Sequence, residues 1–382
     1  MTQELTVMDP RSRVLPRYCF DHQPDSAELR AATVRCMHDM LSVEWRSPEA
    51  FDYYKKGAVA GKHFQFEKDQ TYLGLPYTDA QVTLYGFWEY FDPETGLIRP
   101  DLIREAAPAE TEGRFGQACN ALLGNTCTGS TGWAYAATCA SVRGGMISFT
   151  LVPKNGFFPV GDYSFDLSVN DLYRDITTPE ILAANGEARM MEAYACIQPA
   201  DLVTQNGSNP AAGHSMMALG SAVTVRDGRG LIDPEKSYVP IQDQKAGFFP
   251  QVNGRGELCQ SSGRLLWHAS FRFLFDSGYM PVTAKELTGE KPWEVPAATL
   301  AEGVLRCNYA AAVLKYLLPV PGGELRLAHY ELSRTDIRNE RAYAFPVAEL
   351  LAQASARQEA LGLTGKPVLS VTLANGAEFR FA

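Results

Sequence analysis

The apolar pattern of the chain changes period near Gly213, and this change limits what it can fold into. Before that point the clear signals are helical. Asp25 and Glu28 follow Pro24 at capping-box spacing, and Leu29, Thr33, Cys36, Met37, Met40 and Leu41 share one face. A helix is therefore expected over about Ala27 to Glu44, stopped by Arg46-Ser47-Pro48. Two more are expected, from about Gly129 to Val142, ended by Gly144-Gly145, and from Pro179 to Ala195. Phe51 to Pro100, rich in aromatics and glycine, reads as loops and short elements lining a cleft, and Gly156 to Tyr173 reads as irregular.

After Gly213 the signals are strands. Residues 214–225, HSMMALGSAVTV, end at the turn Asp227-Gly228 and are expected to pair with the short run 238–243, YVPIQD. Leu265 to Phe275 and Tyr279 to Val282 supply further strands, and Lys291 to Ala298, with two prolines, reads as a linker. Residues 301–382 then form a small β domain from Val304 to Val320, Leu325 to Leu332, Val368 to Leu373 and Ala377 to Phe381, the last two flanking the hairpin signal Asn375-Gly376. One helix near Val347 to Leu361 crosses between them. Residues 1–290 are left as the larger unit.

Composition removes several classes of function. The 382 residues carry a net charge of −9, which argues against nucleic acid or an anionic membrane as partner, since either needs a basic face. No run of about 18 apolar residues occurs, so no membrane span is expected. The start, MTQELTVMDPRSR, has no apolar core of a signal peptide, so the expected location is the cytoplasm and the eight cysteines read as thiols rather than a disulfide framework. Asn206-Gly207-Ser208 is then a turn rather than a glycosylation site. Phosphate-binding loops, the dinucleotide fingerprint and the serine nucleophile elbow are all missing. No pair of cysteines or histidines has zinc-ligand spacing, and neither cofactor nor metal is expected.

The chemistry is concentrated in Gly124-Asn125-Thr126-Cys127-Thr128-Gly129-Ser130-Thr131-Gly132-Trp133. If a helix begins just after Thr126, Cys127 lies at its N-terminus, where free N–H groups and the positive end of the helix dipole stabilise a thiolate. Gly129 and Gly132 each cost about 1 kcal/mol in helix propensity, so something should pack closely on the first turn, and a strand carrying a base would suit. A buried cysteine packed in a core is the competing reading of the same residues. The best-placed base is His214, which opens a strand after a polar loop, whereas His22, His38, His63, His268 and His329 lie in loops, a helix, an apolar run or the C-terminal domain.

Taken in order, four landmarks resemble the NlpC/P60-like branch of the papain-like cysteine hydrolases. They are Gly74-Leu75-Pro76-Tyr77, Cys127 with its helix through Trp133-Ala134-Tyr135, Pro199-Ala200-Asp201-Leu202-Val203, and Gly213-His214-Ser215-Met216-Met217. The resemblance implies an α+β fold, helices packed on an antiparallel sheet, with a C-terminal all-β sandwich, as in a large bacterial variant of this group. It implies Cys127 as nucleophile, His214 as base, and an orienting polar residue on the next strand, Asp243, with Gln242 and Gln244 as competitors. Tyr77 and Trp133 are carried over as substrate-binding residues. The implied substrates are peptides, above all cell-wall-derived ones with γ-glutamyl or D-amino-acid links. An acyltransferase with the same dyad and an inactive peptide-binding module are the alternatives. The chain departs from the pattern in its long spacings and in having Thr126-Cys127-Thr128 where Asp-Cys-Ser is usual.

Overall fold

A computed structural model describes residues 15–55, 62–78, 80–92, 95–98, 124–143, 151, 155–165, 177–206 and 213–382, with backbone only for 51–64. The expected break at Gly144-Gly145, residues 166–173 of the irregular stretch, and Gly207 and Ser208 of the turn lie outside these residues.

Helix α1, Ser26–Ser42, begins where the capping box puts it: Asp25 accepts from the Glu28 N–H and Glu28 reaches back to the Asp25 N–H. It ends earlier than its sequence signal, because Val43 turns the chain into strand β1, Glu44–Arg46, and Trp45 is needed in the sheet. The stretch read as loops instead holds paired strands: β2, Phe51–Lys55, with β3, Lys62–Phe66, and β4, Thr71–Leu73, against β1. Helix α2, Leu84–Trp88, and strands β5, Phe91–Asp92, and β6, Leu97–Ile98, follow. Helix α3, Cys127–Thr138, starts two residues earlier and stops four earlier than expected.

Strand β7, Phe157–Pro159, precedes helices α4, Thr178–Asn185, and α5, Glu187–Ala195. These two were expected as one; Gly186, at φ 81°, separates them. Strands β8, Leu202–Gln205, and β9, His214–Ala218, lead into the long pair β10, Tyr238–Val252, and β11, Leu258–Ser270. Sequence alternation shows only the first part of β10, because irregularities in its pairing after Ile241 and after Gln244 break the period of two. The run expected as strand to Phe275 becomes helix α6, Phe271–Asp276, capped by Ser270. Strand β12, Met280–Ala284, and helix α7, Lys285–Thr288, close this region.

Among the described residues ten strands make one mixed sheet in the order β5-β6-β1-β4-β11-β10-β9-β8-β12-β7, parallel at β1/β6 and β4/β11 and antiparallel elsewhere. Helices α1 and α3 pack together and against its central strands. Thr33 and Thr138 share a 2.7 Å hydroxyl contact between the helices, and Gln242 on β10 donates to the Val34 carbonyl of α1. Arg30 pins α1 to the start of β8 through Asp201 at 2.7 Å and the Pro199 carbonyl at 2.6 Å. Both charges are buried, so removing one would strand the other, which typically costs about 3–5 kcal/mol.

Beyond Lys291 the chain forms strands β13, Ala298–Ala301, β14, Val304–Cys307, β15, Ala311–Val320, and β16, Gly323–Glu331, then helix α8, Arg334–Arg338, and strand β17, Ala344–Pro346. Helix α9, Ala348–Ala360, and strands β18, Val368–Leu373, and β19, Glu378–Phe381, complete it. The sheets are β13-β14-β17 and β16-β15-β18-β19, both antiparallel. Helix α9 falls where a crossing helix was expected, lies against β15 and β16 and buries Leu350 and Ala354, so this part is not the all-β sandwich that the resemblance implies. Its apolar core is continuous with that of the ten-stranded sheet. Glu89 ties the two together through Lys315 at 2.8 Å and Arg326 at 2.6 Å. The chain is thus a mixed α and β protein with one large mixed sheet, and no described helix is long and apolar enough to cross a membrane.

Candidate active site

Helix α3 begins at Cys127 because Thr126 is an effective cap: its hydroxyl accepts from the Gly129 N–H at 3.2 Å. The preceding residue fixes the approach. Asn125 bridges to Tyr77, with the Asn125 N–H on the Pro76 carbonyl at 2.8 Å and the Thr78 N–H on the Asn125 carbonyl at 3.0 Å. Its side-chain amide donates to the Val82 carbonyl at 3.0 Å, inside the protein. This seam holds the Tyr77 segment against the helix start, and the Tyr77 hydroxyl donates to Cys127 Sγ at 3.9 Å. Gly129 is required here, since a Cβ would run into Asn125 Oδ1 and come within 3.0 Å of Gln81 Cγ. At Gly129 the close neighbour is this seam, while β9, the strand that carries the base, also packs on the helix.

Cys127 is 5% exposed and every residue of α3 is buried. The His214 imidazole and the Ser215 N–H both act on its thiol, favouring the charged form. His214 stands at the first position of β9, paired with Gln205 of β8, with its side chain 16% exposed. Its Nε2 lies 2.8 Å from Asp243 Oδ2, which leaves Nδ1 to address the thiol. Strand β10 runs beside β9, with Gln242 opposite Met217, and so brings Asp243 under the ring. Gln242 and Gln244 are engaged elsewhere: Gln242 on α1, Gln244 on the Leu75 carbonyl at 2.7 Å and on the Ser130 hydroxyl.

Asp243 is held from a third strand. Its register partner on β11 is Arg264, whose Nε and Nη2 donate to the two carboxylate oxygens at 2.8 and 2.7 Å. Trp267 adds an indole N–H at 3.0 Å, and the Arg264 guanidinium lies over the Trp267 ring, 4.3 Å from its centre. A bidentate guanidinium pair of this kind fixes orientation as well as charge.

These contacts set the protonation states. Burial pushes the Cys127 thiol up, but the charge and hydrogen bond of His214, the Ser215 N–H and the Tyr77 hydroxyl outweigh it and bring it down to about 7. Burial would discharge His214, yet the neighbouring thiolate and Asp243 hold its proton and raise it to about 9. Asp243, despite its burial, is kept at about 2 by His214 and Arg264. A thiolate–imidazolium pair is therefore the dominant state between about 7 and 9. By contrast, burial drives Cys36, Cys139, Cys259 and Cys307 up, and all seven described cysteines are free thiols. Among the described residues no cluster of histidine, cysteine, aspartate and glutamate is arranged to hold a metal.

The structure thus brings Tyr77, Cys127, His214 and Asp243 together. Trp133 does not join them. It is 1% exposed and its indole N–H is on the Gln81 carbonyl at 2.8 Å, so the expectation that it binds substrate is corrected: it anchors α3 in the core. Sequence reasoning missed Arg264, Trp267, Asn125 and Gln81. A visible signal for Arg264 was a lone cation inside an apolar strand pattern, which needs a buried anion as partner.

No family model, no curated protein and no solved structure matches the chain.

Proposed function

We propose that the protein is a cysteine hydrolase that cleaves an amide bond through Cys127, His214 and Asp243. The observation that carries this reading is the convergence of a helix-start thiol, an imidazole whose charge acts on that thiol, and a buried carboxylate 2.8 Å from the imidazole Nε2. A core cysteine needs none of these partners, and burial alone moves a thiol in the opposite direction.

In this mechanism the Cys127 thiolate attacks the amide carbonyl, forming the C–S bond. The N–H groups at the start of α3, which have no intrahelical carbonyl to meet, stabilise the oxyanion. His214 gives its proton to the departing nitrogen as the C–N bond breaks, and then takes one from the water that hydrolyses the thioester. Asp243 keeps the ring oriented and favours its charged form, with Arg264 and Trp267 holding the carboxylate. Tyr77, touching the sulfur, would sit beside the bound carbonyl.

A helix bearing the nucleophile, packed on antiparallel strands that carry first the histidine and then its orienter, is the order that the NlpC/P60-like, papain-like resemblance calls for. That resemblance is the basis for proposing peptide substrates, wall-derived peptides with γ-glutamyl or D-amino-acid links foremost. Intact-mass analysis during incubation with such peptides tests the reading. An acyl adduct on Cys127 and amine release are expected, both abolished in Cys127→Ser; release that persists in Cys127→Ser would overturn it.

A further inference from the structure

Gln244 stands where three parts of the site meet. It is fully buried, and so is Ser130, three residues after Cys127 and therefore on the same face of α3. The Ser130 hydroxyl donates to Gln244 Oε1. Gln244 Nε2 donates to the Leu75 carbonyl at 2.7 Å, to Ser262 Oγ at 3.2 Å and, at a longer 3.4 Å, to the Pro76 carbonyl. Ser262 itself donates to the Leu75 carbonyl at 2.8 Å. One amide thus joins the nucleophile's helix, strands β10 and β11, and the segment that leads into Tyr77. Asp243 is its neighbour in the chain, so a closed circuit can be traced. It runs from Cys127 through one turn of helix to Ser130, across to Gln244, along one peptide unit to Asp243, and back through His214, whose charge acts on the thiol.

The backbone of β10 leaves this spacing loosely specified. Its register with β9 is at Ile241 and Gln242, before Asp243 is reached. Its pairing with β11 is irregular between Ile241 and Asp243 and again between Gln244 and Phe249, with the pairs Asp243 to Arg264 and Gln244 to Gly263 in between. A ladder disrupted on both sides of a residue lets the strand bend there, so side-chain contacts decide where the carboxylate stands. An apolar residue at 244 would fill the same core with no polar atom to satisfy. A buried amide whose oxygen and nitrogen are both engaged instead specifies one arrangement of the elements around it.

We propose that Gln244 is a positioning residue: its bond to Ser130 sets the separation of Cys127 from the His214 and Asp243 pair, and so how closely thiol and imidazole face each other. The inference rests on the hydrolytic reading of Cys127 and His214, and Gln244 acts in it through Ser130 and Asp243. Attraction between thiolate and imidazolium weakens with distance, so loosening the link should make the thiol harder to ionise.

The test is Ser130→Ala, which removes the link and keeps a strong helix former on α3. Iodoacetamide labelling of the Cys127 peptide across pH is expected to give a midpoint about 0.5 to 1 pH unit above wild type. Gln244→Met, which keeps the length and loses the amide, should move it the same way, and the double variant no further than Gln244→Met alone. Thr33→Val removes a buried hydroxyl contact at the other end of α3, with Thr138, and is the control: its Tm should fall like that of Ser130→Ala while its midpoint stays at the wild-type value. An unchanged midpoint in Ser130→Ala, an equal shift in Thr33→Val, or additive shifts in the double variant would overturn the proposal. Failure of the hydrolytic reading looks different: the wild-type protein then has an ordinary thiol midpoint of about 8.5, and the proposal falls with it.

Discussion

Replacing His214 with alanine should move the ionisation of Cys127 from about 7 to 9 or above, because burial, which raises it, is then opposed only by the Ser215 N–H and Tyr77. At pH 7.5 a thiol of pKa about 7 is about three-quarters ionised and one of pKa about 9 about 3% ionised, a loss of about 25-fold in thiolate. The rate of alkylation falls by less. A thiolate that is two pKa units more basic is more nucleophilic by about 8-fold at a Brønsted slope near 0.45, so the net loss at that pH is about 3-fold. The midpoint of the pH profile is therefore the decisive quantity, and restricted access to a thiol that is 5% exposed lowers the plateau without displacing it. Iodoacetamide labelling of the Cys127 peptide, followed by mass spectrometry from pH 6 to 10, should give a midpoint near 7 in wild type and above 9 in His214→Ala. A wild-type midpoint at 8.5 or higher, or the same midpoint in both proteins, would refute the ion-pair argument. Hydrolysis should instead follow a bell, rising near 7 as the thiol ionises and falling near 9 as His214 loses the proton it must donate.

Other substitutions probe the supports of the site. Asp243→Asn should destabilise the fold by about 3 kcal/mol at pH 6 in urea titrations, since it leaves Arg264 without its anion. Asp243 is held below its unfolded value, so its contribution is present above about pH 4 and disappears as pH falls through about 2; the gap between variant and wild type should narrow over that window. Gly129→Ala, which by helix propensity alone would stabilise by about 1 kcal/mol, should lower Tm, because its methyl collides with Asn125. Asp39 is pushed up to about 6 by burial, so wild type should lose stability as pH rises through 4 to 6. Asp39→Asn can still accept from the Tyr18 hydroxyl and should flatten that slope in thermal melts, being the more stable protein at pH 8 and no better at pH 4.

Local chemistry made part of this site legible. Thr126 is a capping residue next to a run of small residues, so the position of Cys127 at a helix start follows from three or four neighbours. His214 opens a strand because a polar loop ends and an apolar run begins, and Asp243 lies on the run that pairs with it. The same local signals bounded α1, α9 and the turn at Asn375-Gly376.

What tertiary structure decided has no local signature. Trp133 and Tyr279 are both aromatic residues in apolar surroundings, yet one is buried under the helix and the other faces the reacting groups, and only the packing of α3 and β12 distinguishes them. Asp243 was one of three polar residues in succession until Gln242 and Gln244 found partners on α1 and beside Leu75. Arg264 meets it only through the irregular register of β10 and β11, a relation between strands set by long-range pairing. A thiol can be placed by its own turn of helix, but the charge that makes it reactive comes from groups far along the chain, which meet only when the sheet closes.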